Sequence, residues 1–167
     1  SVLPAERMYE IDEGDNAGWP YIYYDQIQTK QILMPEYGGD GKKTADNKYL
    51  DPVMAFPGHL APNDFLFYTG NQFPEKYKNG AFIAFHGSWN RTPEPQAGHS
   101  VVFVPFKDGK PTGKPEVFAD GFAGAKDISS PGKAAHRPCG LAQGPDGSLY
   151  VSDDVKGTIY KIHLSNY

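Results

Sequence analysis

Short apolar runs separated by turn signals mark the C-terminal part of the sequence. Three such runs lie within residues 139–162, and the turns Pro-Asp-Gly at 145–147 and Val-Lys-Gly at 155–157 separate them. Turns of this chemistry between short runs of β-branched and aromatic residues are typical of antiparallel hairpins. The runs alternate only partly between apolar and polar positions, which suits a sheet covered on both faces. The pattern predicts an antiparallel meander of three strands.

The same unit occurs earlier in the chain. Asn79–His86 lines up with Asp146–Asp153, and a turn glycine occupies the same position in both. The strand that follows, Val101–Phe106, corresponds to Thr158–His163, and Arg7–Ile11 has the pattern of a third copy of that strand. We therefore interpret the chain as a series of related β-meanders.

Repeated meanders of this length are typical of β-propeller blades, which have four strands each and form rings of four to eight blades. At roughly 40–50 residues per blade, a chain of 167 residues corresponds to three to four blades. The chain opens on a third strand and closes on another. We therefore expect an all-β fold, a partial β-propeller from a six-bladed ring, with residues 1–167 forming the C-terminal part of a single domain whose upstream blades lie elsewhere. Long insertions at 25–50 and 90–98 are candidates for functional loops.

Composition agrees with this interpretation and excludes some partners. The 19 glycines, 15 prolines and 14% aromatic residues indicate many turns between short strands. The 16 Lys and Arg against 20 Asp and Glu give a net charge of −4, and no basic stripe is present to bind nucleic acid. Apolar runs such as Val101–Phe106 are far shorter than the roughly 20 residues that span a bilayer. We expect no nucleic-acid partner and no membrane span.

Polar and cationic residues cluster where predicted strands begin or end. His86–Arg91 follows an apolar strand directly, His136–Pro138 precedes the innermost strand of the last blade, and Pro57–Pro62 precedes another strand. We expect these segments to lie on one face of the ring. Clustered cations beside an aromatic ring suit a planar, polyanionic ligand. For each segment taken singly, a structural cap or ion pair remains the alternative.

Five motifs follow one another in the order found in a known family and cover nearly the whole chain. They are Asn16–Pro20, Pro57–Pro62, His86–Arg91, Arg137–Ala142 and Gly144–Asp154. The ordered set resembles the soluble PQQ-dependent glucose/sorbosone dehydrogenase family, in particular its L-sorbosone dehydrogenase-like members, where PQQ is pyrroloquinoline quinone. The resemblance implies a six-bladed propeller that binds PQQ with Ca²⁺ at its central top face and oxidises sugars.

The resemblance also implies cofactor-binding roles for five residues. Trp89 and Arg91 match the region that presents a cation to the PQQ carboxylates, and His59 lies in a segment that lines the cofactor. Arg137 matches an arginine beside the quinone, and Asp154 matches an acidic residue that orients such an arginine. Because guanidinium groups bind carboxylates bidentately, we expect Arg91 and Arg137 to be cofactor ligands and not structural ion-pair partners. The family's catalytic histidine lies before the Gly-Trp-Pro motif, so no catalytic residue is assigned here, and no metal ligand is assigned.

The function implied is that of a quinoprotein oxidoreductase in the periplasm or outside the cell. It would oxidise a sugar or aldehyde of the sorbosone or aldose type with PQQ and Ca²⁺ and pass electrons to an acceptor such as a cytochrome c. We expect the 167-residue chain alone to be inactive. Open blade edges template strand pairing, so we also expect association with the missing N-terminal half or self-association. Two alternatives remain open: a Ca²⁺-dependent lactonase-type propeller hydrolase, and a non-catalytic propeller fragment that binds a partner.

Overall fold

The computed structural model describes residues 2–45 and 48–165. Regular structure in these residues consists of short β-strands and three short 3₁₀ turns, at Pro35–Tyr37, Glu75–Tyr77 and Pro131–Lys133. None of the helical segments found there has the length or apolarity needed to cross a membrane. The chain divides into two compact units, the first ending at His59 and the second beginning at Leu60. The all-β prediction is confirmed.

The first unit contains two strand pairs. Its strands are β1 (Glu6–Met8), β2 (Ile22–Asp25), β3 (Lys30–Leu33) and β4 (Met54–Phe56). Strand β1 pairs antiparallel with β4, and β2 pairs antiparallel with β3. The Asp25 carboxylate accepts hydrogen bonds from the backbone N–H groups of Ile27 and Gln28 at 2.8 and 3.0 Å, which stabilises the turn into β3. The insertion predicted at 25–50 therefore contains one strand of a hairpin.

The second unit contains two larger antiparallel sheets and a small hairpin. Its strands are β5 (Pro62–Phe67), β6 (Ala81–Phe85), β7 (Ser100–Val104), β8 (Phe106–Lys107), β9 (Lys110–Pro111), β10 (Glu116–Ala119), β11 (Pro138–Gln143), β12 (Leu149–Asp153) and β13 (Ile159–Ile162). The first sheet has the order β10-β7-β6-β5, the second β11-β12-β13, and β8 pairs with β9.

The two sheets confirm the repeat predicted from the sequence. Strands β6 and β12 are the second strands of their meanders, and β7 and β13 are the third strands. The sheet β10-β7-β6-β5 has the four strands of a propeller blade. In the first unit, β1 pairs with β4 across an intervening hairpin, as β7 pairs with β10 across β8 and β9. The partial β-propeller is confirmed, whereas the single domain over residues 1–167 stays a prediction.

A shared hydrophobic core joins the two sheets of the second unit. Strands β6 and β7 are buried along their whole length, as expected for strands covered on both faces. Phe82 and Phe103 of the first sheet lie in one cluster with Leu149 of the second. Polar contacts add to this packing, because the buried Tyr68 hydroxyl donates to the Gly147 carbonyl oxygen at 2.7 Å. The strand ends of both sheets are therefore held at fixed positions within this unit.

Candidate functional site

Three strand ends of the second unit meet at one edge. Strand β6 ends at Phe85, β11 begins at Pro138 and β12 ends at Asp153. Pro138 lies opposite Asp153 in the β11–β12 pair, and β11 packs against β6 as well. The polar residues beside these ends are consequently close together. We call the following residues the strand-end cluster: His86, His136, Arg137, Asp153 and Asp154.

Asp153 is the buried anion of the cluster. Its carboxylate accepts hydrogen bonds from His136 Nδ1 and the Arg137 backbone N–H, both at 2.8 Å, and from the backbone N–H groups of Val155 and Lys156 at 3.0 and 3.1 Å. Burial alone raises the pKa of this carboxyl, but the four donors outweigh burial and hold the pKa well below its ordinary value. Asp153 therefore remains ionised and fixes the start of β11.

Arg137 connects the start of β11 to the end of β6 through its guanidinium group. Its Nε donates to the His86 carbonyl oxygen at 3.1 Å, and its Nη2 donates to the carbonyl oxygens of Gly87 and of Ser88, the latter at 3.1 Å. Burial lowers the Arg137 pKa, and the Asp154 charge opposes that shift. The Nη1 group has no hydrogen-bond partner among residues 2–45 and 48–165. Arg137 thus has a structural role that the sequence did not predict and keeps one donor group available.

His86 and Asp154 form a hydrogen-bonded pair at the same edge. His86 Nε2 lies 2.9 and 3.0 Å from the two carboxylate oxygens of Asp154. Because a carboxylate only accepts hydrogen bonds, Nε2 carries the proton. The Asp154 side chain is half exposed, whereas His86 is largely buried. Asp154 was predicted to orient an arginine, and its direct hydrogen bond here is to His86, while its interaction with Arg137 is electrostatic.

Arg91 and Trp89 lie in the loop between β6 and β7. Arg91 Nε donates to the Pro95 carbonyl oxygen at 3.0 Å, and Nη2 donates to Glu94 Oε2 at 3.1 Å. Both contacts lie within the same short loop. The Trp89 ring is 73% exposed. The structure therefore gives Arg91 local partners that the sequence did not predict, and the cofactor roles of both residues stay predictions.

His59 lies at the end of the first unit. It has a left-handed backbone conformation with φ of 67° and lines a cavity of about 220 Å³ together with Arg7 and Trp19. The Nη1 atom of Arg7 is buried without a partner. The structure thus places His59 at a small cavity of the first unit. The strand-end cluster consists of residues of the second unit. The prediction that His59 lines the cofactor stays a prediction.

Three members of the cluster, His86, His136 and Asp153, were not among the predicted site residues with a cofactor role. His136 and Asp153 became recognisable once β11 and β12 were paired, because that pairing places them side by side. In the sequence, the only signal was their position next to strand ends. No group of three or more His, Cys, Asp or Glu residues in the described ranges is arranged to hold a metal ion, so Ca²⁺ binding stays a prediction.

The four-stranded sheet, the three-stranded sheet beside it and the polar edge between them define a propeller-type protein with a cation-bearing site at its strand ends. Residues 21–165 match the TrAA12-like family, and the chain belongs to this family. The resemblance inferred from the motifs is thereby confirmed at the level of the family.

Individual relatives agree with the family assignment. The chain is 31% identical over 196 residues to a pyrroloquinoline quinone-dependent pyranose dehydrogenase of Coprinopsis cinerea, covering 95% of this chain and 25% of that protein. A Trichoderma reesei structure of Carbohydrate-Active Enzymes Family AA12 superposes with a TM-score of 0.71 at 24% identity, covering 91% of this chain and 39% of that one. The soluble aldose sugar dehydrogenase of Escherichia coli gives a TM-score of 0.58 at 18% identity, covering 100% and 40%. The two structural matches show the fold alone, and the chain spans two fifths or less of each of these proteins.

Proposed function

We propose that the complete protein is a PQQ-dependent sugar dehydrogenase and that the strand-end cluster contributes to its cofactor site. The observation that supports this most directly is Arg137, a guanidinium group held rigidly at the strand ends with Nη1 still available. Membership of the TrAA12-like family and the similarity to the pyrroloquinoline quinone-dependent pyranose dehydrogenase of Coprinopsis cinerea support the choice of cofactor. The chain itself supplies positioning groups in this proposal.

The residues present fit PQQ, and each of them has one group available to contact it. Arg137 has already used Nε and Nη2 for backbone carbonyls, so Nη1 remains to donate to one carboxylate or quinone oxygen. Arg91 is bonded to Glu94 and Pro95, which leaves no intact Nε/Nη2 edge for a second carboxylate. The exposed face of Trp89 offers an apolar surface to a planar ring. When bound, PQQ supplies the quinone that accepts the electrons of the sugar.

The proposed substrates are aldoses or sorbosone-type aldehydes, and the proposed acceptor is an external electron carrier. His86 and Asp154 hold a proton between them at the cluster, because Nε2–H donates to the carboxylate. In this proposal the pair holds the Asp154 carboxylate in place near Arg137. The base that removes the substrate proton is supplied by residues outside these 167. Ca²⁺ and a periplasmic or extracellular location complete the proposal.

A dye-linked oxidation assay on the complete protein tests the proposal. The purified protein is incubated with PQQ and Ca²⁺, and reduction of an artificial electron acceptor is followed with D-glucose, other aldoses and L-sorbosone. We expect oxidation that depends on added PQQ. Lactone hydrolysis is measured in parallel, because hydrolysis without any PQQ-dependent dye reduction would contradict the proposal and support a lactonase-type propeller. The 167-residue chain alone serves as a comparison and is expected to be inactive.

A further inference from the structure

Strand β11 begins with an irregular segment directly after Arg137. Pro138 faces Asp153 of β12 and Leu141 faces Val151, so three steps along β11 match two steps along β12. The segment therefore contains one extra residue, which makes it a β-bulge. Pro138 also lacks a backbone N–H group. The regular ladder between β11 and β12 is thus interrupted next to Arg137.

Side-chain oxygens of other strands accept the backbone hydrogen bonds of this bulge. In a regular ladder, backbone carbonyl oxygens are the acceptors. Here three backbone N–H groups donate to side chains instead: Arg137 to Asp153 Oδ1 at 2.8 Å, Gly140 to Ser152 Oγ at 2.9 Å and Leu141 to Asp64 Oδ2 at 2.8 Å. The shape of the bulge therefore depends on three particular side chains.

Asp153 is the acceptor that water cannot replace. Its side chain is completely buried, and each of its two carboxylate oxygens accepts two hydrogen bonds. Ser152 and Asp64 are only half-buried. The fit at Ser152 is nevertheless close, because a Cβ on Gly140 would come within 2.9 Å of Ser152 Oγ. Asp153 should therefore contribute most to the conformation of the bulge.

The bulge determines where the Arg137 side chain points. The guanidinium group reaches the carbonyl oxygens of His86, Gly87 and Ser88 at the end of β6, and Nη1 remains available. Bulges beside functional sites commonly redirect one side chain. A shift of the backbone at residue 137 would move the guanidinium group relative to these carbonyls, and Nη1 would move with it.

We infer that Asp153 is a positioning residue for cofactor binding. It acts through the backbone of Arg137 and does not contact the cofactor, and Ser152 supports the same bulge. This inference rests on the proposed function, in which Arg137 Nη1 donates to PQQ. A purely structural Asp153 would stabilise the sheet without influencing the affinity of the folded protein for PQQ.

Equilibrium binding of PQQ to the complete, cofactor-free protein tests this inference. PQQ is titrated into the wild type, Asp153→Asn, Arg137→Ala and the variant with both substitutions, and melting curves give the folded fraction of each. Asp153→Asn should weaken PQQ binding per folded molecule roughly 3- to 10-fold. In the Arg137→Ala background it should have no further effect, because a double-mutant cycle shows whether one residue acts through another. Ser152→Ala removes the acceptor of Gly140 and should weaken binding in the same direction, so it takes the place of Asp153→Asn if that variant does not fold.

Tyr68→Phe is the matched control. It also removes a buried hydrogen bond, the one to Gly147, but Tyr68 belongs neither to the bulge nor to the strand-end cluster. Its dissociation constant for PQQ should equal that of the wild type although its Tm is lowered. Wild-type affinity in both Asp153→Asn and Ser152→Ala, or a loss of affinity that persists in the Arg137→Ala background, would overturn the inference.

A measurement without PQQ separates this inference from the proposed function. The hydrogen exchange of the Arg137 Nε–H group, which donates to the His86 carbonyl oxygen, is followed by NMR in protein labelled with ¹⁵N-arginine. Asp153→Asn should accelerate this exchange, whereas Tyr68→Phe should not. A wild-type protein that does not bind PQQ would contradict the proposed function. An exchange rate unchanged by Asp153→Asn would overturn the positioning role of Asp153 whether or not PQQ binds.

Discussion

Replacing Arg137 by alanine should destabilise the protein strongly. The substitution removes three hydrogen bonds from the guanidinium group to the backbone carbonyls of His86, Gly87 and Ser88. A hydrogen bond to a charged group contributes about 1.5–3 kcal/mol. Because the three bonds share one group and water reaches this partly exposed site, we expect a total loss of about 3–5 kcal/mol. For a chain of this size, each kcal/mol lowers Tm by about 2–4 °C.

Arg91→Ala is the matched control for this prediction. Arg91 makes one hydrogen bond to a backbone carbonyl, that of Pro95, and a pair with the half-exposed Glu94 in the same loop. The pair contributes about 0–1 kcal/mol and the single hydrogen bond about 1.5–3 kcal/mol, so the loss should be smaller than for Arg137→Ala. Urea denaturation of the cofactor-free complete protein, followed by circular dichroism, gives both values. A loss below about 1 kcal/mol for Arg137→Ala, or equal losses for the two variants, would refute the structural role assigned to Arg137.

The same variants separate a structural role from a cofactor role. With Nη1 as the available donor of Arg137, removing it should weaken PQQ binding per folded molecule roughly 10- to 150-fold. Arg91→Ala should have a smaller effect, because its guanidinium is already occupied by Glu94 and Pro95. Unchanged PQQ affinity in Arg137→Ala, with a lowered Tm, would leave Arg137 a purely structural residue.

Three further predictions concern stability. Asp153→Asn should lower the free energy of unfolding by about 1.5–3 kcal/mol at neutral pH. Because the Asp153 pKa is depressed, this difference from the wild type should be complete above about pH 4 and should disappear as the pH falls further. Urea titrations at several pH values measure it. The His99 pKa is lowered from 6.5 to about 4 in the folded protein, so the unfolded chain binds the proton first as the pH falls. The free energy of unfolding should therefore decrease by up to about 1.4 kcal/mol per pH unit between these two pH values. His99→Phe should lack this pH-dependent component. Tyr68→Phe should cost about 1–3 kcal/mol in thermal melts, since the buried hydroxyl donates to Gly147 and accepts from the backbone of Gln72 and Phe73; a Tm equal to wild type would contradict this role.

The strands and their repetition could be predicted from the sequence because both depend on local chemistry. A turn glycine and an apolar run of about five residues specify a hairpin without reference to the rest of the chain, and Asn79–His86 and Asp146–Asp153 share this pattern. The position of His86 and Arg137 beside strand ends could also be predicted, because it follows from where the apolar runs stop. The β2–β3 hairpin, whose second strand lies within 25–50, was missed, because its turn depends on hydrogen bonds to the single side chain of Asp25.

The partners of the polar side chains were decided by the tertiary structure alone. Arg137 and His86 are 51 positions apart, and only the packing of β11 against β6 brings a guanidinium group to the carbonyls at the end of β6. Contacts between the same strand ends bring Asp154 to His86, which lies 68 positions earlier in the chain. A sequence shows which residues can donate or accept a hydrogen bond. Which of them meet depends on contacts between distant strands, because hydrogen bonds form over about 3 Å and burial is a property of the assembled sheets.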